Sequence, residues 1–378
     1  MEKHICFLSN GFSRRDSLIV YRFGRTLVKK GYKVTYLLRD GQPEEERYGI
    51  IMSSVGEKAS SLRGRILSAT KVFKTFLKNH SADVYVVSEP EMLQVGLWLK
   101  RRGNKVVFSL REWYPVYYTN KVSNRFAKKA IEWLCERYFN YVAKKLDAVF
   151  NCMPEMHDYI KHVMPCRYFE DVANFPVVNK DFSLSYEEYS KRENIISYFG
   201  SIYNISCQEE FLDALESFPN VKYLLAGVFY NADYQERVMA KPAWKQVEFI
   251  NGFTREQLPG IINRSIMGNV VKDFDQTETP QGSYSIIKIF ETMEAAVPVI
   301  LAKVPLYEKM VEKYHCGICV KPHSVDDFRA AIEYLLTHKE EAYQMGQNGR
   351  RAVLEEFSWD SQAKNVMKVI SKLTEDKQ

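Results

Sequence analysis

Along this chain, short apolar runs alternate with longer stretches in which apolar residues recur every three or four positions. The runs His4–Ser9, Lys33–Leu38, Asp83–Ser88, Lys105–Leu110 and Ala148–Cys152 are rich in Val, Ile and Tyr and lack a polar alternation. They predict strands buried on both faces. Between them a helical period predicts helices over Ser17–Lys30, Leu62–His80, Glu91–Arg102 and Asn124–Lys145. Gly31 and Gly103 stand where helix-terminating glycines belong, each followed within two residues by a strand. Strand alternating with helix predicts a parallel sheet with crossover helices.

The pattern lapses over the polar stretch Asn174–Asn194 and resumes at Ile195-Ile196-Ser197-Tyr198-Phe199-Gly200. Further strands are expected at Val221–Ala226, Val247–Ile250, Met267–Val271 and Pro298–Ala302. Helices are expected at Gln208–Ser217, Arg255–Asn263, Ile286–Ala296, Leu306–Lys313, Val325–Thr337 and Glu340–Phe357. The expectation is an α/β protein of two doubly wound, Rossmann-like domains, 1–185 and 186–378, with a final helix at about 359–378 able to cross back to the first. Such a pair places a ligand cleft between the carboxyl ends of the two sheets.

Composition sharpens this picture. With 378 residues, 46% of them apolar, each half can bury its own core, and disordered or collagen-like classes are excluded. The net charge of +6 conceals an asymmetry: residues 1–180 hold 31 Lys and Arg against 18 Asp and Glu, and the remainder 22 against 29. A basic half suggests an anionic partner, with nucleic acid, an anionic membrane surface and a phosphorylated substrate all open at this point. Leu62–His80 is amphipathic, with Ile66, Ala69, Phe73, Phe76 and Leu77 on one face and Arg63, Arg65, Lys71, Lys74 and Lys78 around it. It can lie on an anionic membrane or pack as an outer helix of the sheet; Lys128, Lys129, Lys144 and Lys145 add to the same field. No apolar run reaches the roughly 18 residues of a membrane span, and the N-terminus turns polar at Ser9-Asn10, too early for a signal peptide. The seven cysteines have no framework spacing, and Cys316-x-x-Cys319 lacks a second pair. A cytoplasmic protein, peripheral on the inner face of the membrane, is the expectation.

Three segments carry candidate chemistry. Ser9-Asn10-Gly11-Phe12-Ser13-Arg14-Arg15-Asp16 joins the first strand to a helix, where a glycine lets backbone N–H groups approach a phosphate; a plain turn is the alternative. Arg111 and Glu112 follow a strand directly and point toward a cleft, unless they form a structural ion pair; Tyr114, Tyr117 and Tyr118 beyond them can stack a sugar or pack. The third segment runs from Gln281-Gly282-Ser283-Tyr284-Ser285 through Lys288-Ile289-Phe290-Glu291 to Pro298-Val299-Ile300. Its loop opens a helix, and Lys288 and Glu291 share one face of it. One offers a cation to phosphate, the other a carboxylate to two adjacent hydroxyls.

The stretch Ser285–Val320 resembles the donor-binding region of family 4 glycosyltransferases, retaining enzymes of the two-domain GT-B architecture. The resemblance rests on the Lys-Ile-Phe-Glu helix, the Pro-Val-Ile strand and the later Cys-Gly-Ile-x-Val strand. Weaker likenesses at Glu248–Asn263, Asp83–Leu99, Val106–Pro115, Asp147–Met153 and Val172–Pro176 extend it over nearly the whole chain. It implies transfer of a sugar from a UDP- or GDP-sugar to a glycan or lipid-linked acceptor. No metal is implied, because cations and helix N-termini can offset the charge of the leaving diphosphate. Glu291 would grip the ribose; Lys288 and the backbone of Gly282, Ser283, Tyr284 and Ser285 the diphosphate. Gly200 and Ser201 would form the turn approaching it, Phe253 would flank the base, and Gly11 would lie under a phosphate or the acceptor. Arg111, Glu112 and Lys288 are the candidate catalytic side chains, and Asn10, Arg15 and Asp16 the acceptor-side ones. Three positions depart from the family pattern. Ser283 replaces a Glu, Arg111 replaces a His, and the segment 201–207 lacks the usual Arg and Lys, whose work Lys272 or Arg111 would take over. These departures leave a catalytically silent binding or scaffold subunit as the alternative. No nucleic-acid-binding motif is present, so nucleic acid is not expected as a partner.

Overall fold

The computed structural model describes residues 2–58, 62–119, 122–275, 277 and 279–375. They form two compact units, Met1–Asn174 with Trp359–Gln378, and Phe175–Ser358. The chain parts at Asn174, earlier than residue 185. The reason is aromatic: the Phe175 ring lies 4.8 Å from Phe290 and 5.4 Å from Phe357, both in the second unit. The polar stretch after it is partly ordered, with a short helix Tyr186–Ser190 opened by a reciprocal capping box between Ser185 and Glu188.

The first unit is built on an eight-stranded sheet. Its strands are β1 (His4–Ser9), β2 (Lys33–Leu38), β3 (Glu45–Arg47), β4 (Ile50–Ser54), β5 (Val84–Val87), β6 (Lys105–Leu110), β7 (Ala148–Asn151) and β8 (Tyr168–Asp171). The order is β3-β4-β2-β1-β5-β6-β7-β8, parallel except for the β3–β4 hairpin at one edge. The five strands expected from the apolar runs are the central ones. The edge strands β3 and β8 carry half-buried or exposed residues, and β4, next to β3, buries only Ile50 and Met52, so all three escape that pattern.

One layer on this sheet includes the helix Leu62–Phe76, whose Ala69 and Phe73, with Leu77 beyond, are buried among Val87, Leu93 and Phe108. Of the two readings of its apolar face, packing on the sheet is the one observed for these residues; the side chains of Leu62, Arg63, Arg65 and Ile66 lie outside the described part. On the other side the last helix, Trp359–Glu375, buries Trp359, Val366, Val369, Ile370 and Leu373 beside Phe7 and Phe23. Trp359 meets Phe23 edge-on at 5.3 Å, and its indole N–H donates to Thr26 Oγ1 at 2.7 Å.

The helix Arg125–Ala143 is the exception to burial. Asn124 caps it, accepting from the N–H groups of Phe126 and Ala127, and its buried residues are Phe139, Val142 and Ala143. Phe126, Trp133, Leu134 and Tyr141 are between 50% and 84% exposed.

The second unit has six parallel strands, β9 (Ile195–Ile202), β10 (Lys222–Phe229), β11 (Val247–Asn251), β12 (Met267–Asn269), β13 (Val299–Ala302) and β14 (Gly317–Val320). Their order is β11-β10-β9-β12-β13-β14. One helix differs usefully from expectation. It covers Leu258–Ile262 rather than starting at residue 255, with Pro259 in its first turn. Residue 255 is left in the loop after β11.

Candidate active site

In the second unit the carboxyl end of β9 and the helix Ile287–Glu294 bring the donor-side candidates together. Gly200 has φ +109°, and a Cβ built there would lie 3.3 Å from Lys288 Nζ. Glycine thus supplies both the backbone angle and the room for the ammonium. Lys288 Nζ sits 4.0 Å from the centroid of the Tyr198 ring, a cation–π contact that holds the cation beside Gly200. Gly200 and Ser201, expected to form a turn, instead lie inside β9, where they pair with Gly227 and Val228 of β10 because the two strands run on together to Ile202 and Phe229. The Tyr198 hydroxyl donates to Ser201 O at 2.7 Å and lies 3.1 Å from Ser206 Oγ, so the same tyrosine ties down the loop after Gly200. Glu291 follows on the same helix, 6% exposed, and pairs with the guanidinium of Arg255. Phe253 meets Phe199 edge-on at 6.3 Å nearby in the β11 loop.

Arg255 was not among the sequence candidates. Its signal was a basic residue at the carboxyl end of a strand, hidden by assigning it to a helix.

The 282–285 loop serves differently from expectation. Ser283 N donates to Tyr307 Oη at 3.2 Å, that hydroxyl donates to Ser283 O at 2.8 Å, and Ser285 N donates to Ser283 Oγ at 3.0 Å. These two N–H groups, read as diphosphate donors, bond within the protein because a serine side chain and a buried tyrosine stand in reach. The Tyr284 ring lies among Phe175, Phe290 and Phe357. Gly282 holds φ +100°, with Val304 and Leu306 within 3.1 Å of where a Cβ would be. Lys272 rests over Phe274 at 5.1 Å, and Phe274 packs on Tyr307. Ser201 is exposed at the rim.

In the first unit the turn after β1 is closed by a residue outside the candidate set. Glu89 Oε1 accepts from Ser9 Oγ at 2.6 Å, Asn10 N at 3.1 Å and Gly11 N at 2.7 Å. The Gly11 N–H expected under a phosphate is therefore satisfied by a carboxylate of the protein itself. Burial outweighs these bonds and pushes the Glu89 carboxyl up to about 7, and its Oε2 has no hydrogen-bond partner among the described residues. An acid at the end of β5 followed by Pro90 was the signal for it. Asn10 itself is buried and donates to Glu91 Oε1 at 3.4 Å.

Arg111 grips Asp16 with both terminal nitrogens, at 2.9 and 3.4 Å, and lies over the Phe12 ring at 4.5 Å. Asp16 Oδ1 also accepts from the N–H groups of Leu18 and Ile19. The ion-pair reading of Arg111 is the one observed, its charge already met by Asp16 rather than left to replace a phosphate cation. Glu112 and Arg15 are exposed. Beside this turn lies a cavity of about 340 Å³ lined by Pro90, Glu91, Tyr114, Tyr118, Tyr138 and Phe139. Tyr114 and Tyr118 stack at 5.9 Å.

The family model described as Glycosyltransferase Family 4 matches residues 18–168, and that described as Glycosyl transferase-like matches residues 206–368. Among solved structures, sucrose-phosphate synthase from Thermosynechococcus elongatus is similar at 17% identity and TM-score 0.73, with 100% of both chains covered. HepE from Anabaena, in complex with UDP and glucose, is similar at 14% identity and TM-score 0.74, over 98% of this chain and 100% of that one. WaaG, a glycosyltransferase involved in lipopolysaccharide biosynthesis, is similar at 14% identity and TM-score 0.68, over 97% and 99%. Among curated proteins no sequence matches. The two parallel α/β units and the matched models define a GT-B glycosyltransferase. Within that class it is the segment 18–168 that matches the family 4 model. No helix among the described residues is long and apolar enough to cross a membrane.

Proposed function

We propose that this glycosyltransferase moves a sugar from a UDP- or GDP-sugar, with retention of configuration and without a metal in the transfer step, to a lipid-linked or surface-glycan acceptor. The observation that carries the reading is Lys288, held on Tyr198 beside Gly200 near the carboxyl end of β9, with Glu291 one helical turn further on. Lys288 would offset the charge that develops on the leaving diphosphate, and Glu291 would accept from the ribose hydroxyls. HepE from Anabaena is solved with UDP-glucose, which supports a uridine donor. In a retaining transfer of this kind the acceptor hydroxyl gives its proton to the departing phosphate, so no carboxylate pair is required.

On the acceptor side, the 340 Å³ aromatic cavity suits an acceptor with an apolar part. The helix Arg125–Ala143 supports a peripheral seat on the inner face of the membrane: exposed Phe126, Trp133, Leu134 and Tyr141 stand among Arg125, Lys128, Lys129 and Arg137. Thermal shift tests the donor reading. A UDP- or GDP-sugar should raise the melting temperature and Glu291→Ala should abolish the rise; no shift with any nucleotide sugar overturns it. The reading as a silent subunit draws on residues 201–207, which contain no cation, and on the pairing of Glu291 with Arg255. Transfer or hydrolysis of any donor would end it.

A further inference from the structure

The loop after Gly200 ends at Cys207, where the helix Gln208–Leu215 begins, and donor groups from separate segments converge there. Cys207 Sγ, a Glu210 carboxylate oxygen and a His323 ring nitrogen all lie within 4.8 Å of one another. Glu210 stands in the first turn of that helix, on the same side as Cys207. His323 comes from the link between β14 and the helix Val325–Thr337. Its Nδ1 is 2.5 Å from Glu210 Oε1 and its Nε2 is 3.3 Å from Asp273 Oδ2. Asp273 follows β12, and its own N–H donates to Ile205 O at 2.7 Å, inside the same loop. Cys207 and His323 are both held at positive φ, +49° and +63°, a region that residues other than glycine rarely adopt.

An imidazolium between two carboxylates accounts for the contacts of His323; at the third corner the buried thiol of Cys207 donates to Ile205 O at 3.8 Å, a long bond that leaves the sulfur within reach of the other two groups. Thiol, imidazole and carboxylate together are a zinc-type donor set. A carboxylate on the far ring nitrogen is the arrangement that orients a ligating histidine. We propose that Cys207, Glu210 and His323 Nδ1 bind one Zn²⁺ ion, with Asp273 orienting the imidazole through Nε2–H and water completing the coordination. Binding forms S–Zn, N–Zn and O–Zn bonds and releases the thiol proton and the Nδ1 proton to solvent. The ion stands apart from the transfer step. It clamps the end of the 201–207 loop to the β14 link, and Ser206 Oγ passes that restraint to the Tyr198 on which Lys288 rests.

The test uses the full chain, stripped with chelator, kept reduced and titrated with Co²⁺. One equivalent should bind with a thiolate-to-cobalt charge-transfer band in the near ultraviolet, displaced by Zn²⁺. Cys207→Ser should abolish the band, whereas Cys319→Ser should leave it. Asp273→Asn should keep the band but weaken binding about 10- to 100-fold. Circular dichroism accompanies each variant, and His323→Ala, at a half-exposed side chain, decides the matter if Cys207→Ser does not fold: it should weaken Zn²⁺ binding about 100-fold or more. No band in the folded wild-type chain, a band that survives Cys207→Ser, or a His323 imidazolium whose NMR titration is unmoved by Zn²⁺ overturns the proposal. None of these readings uses a nucleotide sugar, so the outcome is independent of the donor assignment.

Discussion

Arg255 forms an ion pair with Glu291, the carboxylate 6% exposed and the guanidinium 28%. Removing the arginine leaves a buried carboxylate without its countercharge. Arg255→Ala should therefore destabilise the chain by about 2–3 kcal/mol, less than for a fully buried pair because the guanidinium is partly solvated. Arg255→Lys should recover only part of it, since an ammonium lacks the planar fork. Urea unfolding checks this; a midpoint equal to wild type would show the pair contributes nothing.

Lys288 rests with its ammonium 4.0 Å from the centroid of the Tyr198 ring. Lys288→Ala should change stability by about 0.5–1 kcal/mol, the scale of a cation–π contact, yet lower turnover about 100-fold or more. Kinetics with a UDP-sugar alongside a melting curve separate the two effects. A large loss of stability with normal turnover would assign the lysine to structure.

Gly200 should tolerate no side chain. Its φ of +109° strains any replacement, and a Cβ would press on Lys288 Nζ from 3.3 Å. Gly200→Ala is expected to cost about 1–3 kcal/mol and to weaken donor binding, read by calorimetric titration. Normal affinity in a folded variant would remove Gly200 from the donor site.

Glu89 predicts a pH dependence. Its folded-state carboxyl is raised from 4.5 to about 7 by burial. Below the unfolded value it is protonated in both states and adds no penalty; above about 7 it is ionised in both and the penalty, about 3 kcal/mol, is complete. Its contribution thus lowers stability as pH rises from 4.5 to about 7. Glu89→Gln should flatten this slope, so the variant gains on wild type between about pH 5 and about pH 8. Parallel denaturation curves at the two values would contradict it.

Arg111 and Asp16 should prove strongly coupled. Each side chain is 12% exposed, and Asp16 also accepts backbone N–H groups at the start of the first helix. A double-mutant cycle with Arg111→Met and Asp16→Asn should return about 2–3 kcal/mol of interaction energy. Additive single losses would refute it.

Much of this was readable in advance where side chains repeat with the period of an element. The apolar runs found the central strands of both sheets because strands buried on two faces need no alternation. The Lys288–Glu291 spacing found one face of one helix. What stayed hidden depends on partners distant in sequence. Glu89 closes the turn at Gly11 from another strand, Tyr307 takes the N–H of Ser283, and Arg255 reaches Glu291 because Pro259 shortens the helix it seemed to begin. Nor could the amphipathic period of Leu62–Phe76 tell a sheet from a membrane, since both offer the same apolar surface.

The last helix makes the order of folding differ from the order of synthesis. Trp359 and Thr26 are 333 positions apart in the chain. The first unit is made first, but the layer over Phe23 is missing until Trp359, Val366, Val369, Ile370 and Leu373 have left the ribosome. The second unit, one unbroken segment, can close while the older one waits with apolar surface in water. A premature stop within the final helix would therefore be felt at the other end of the chain, at Phe23 and Thr26.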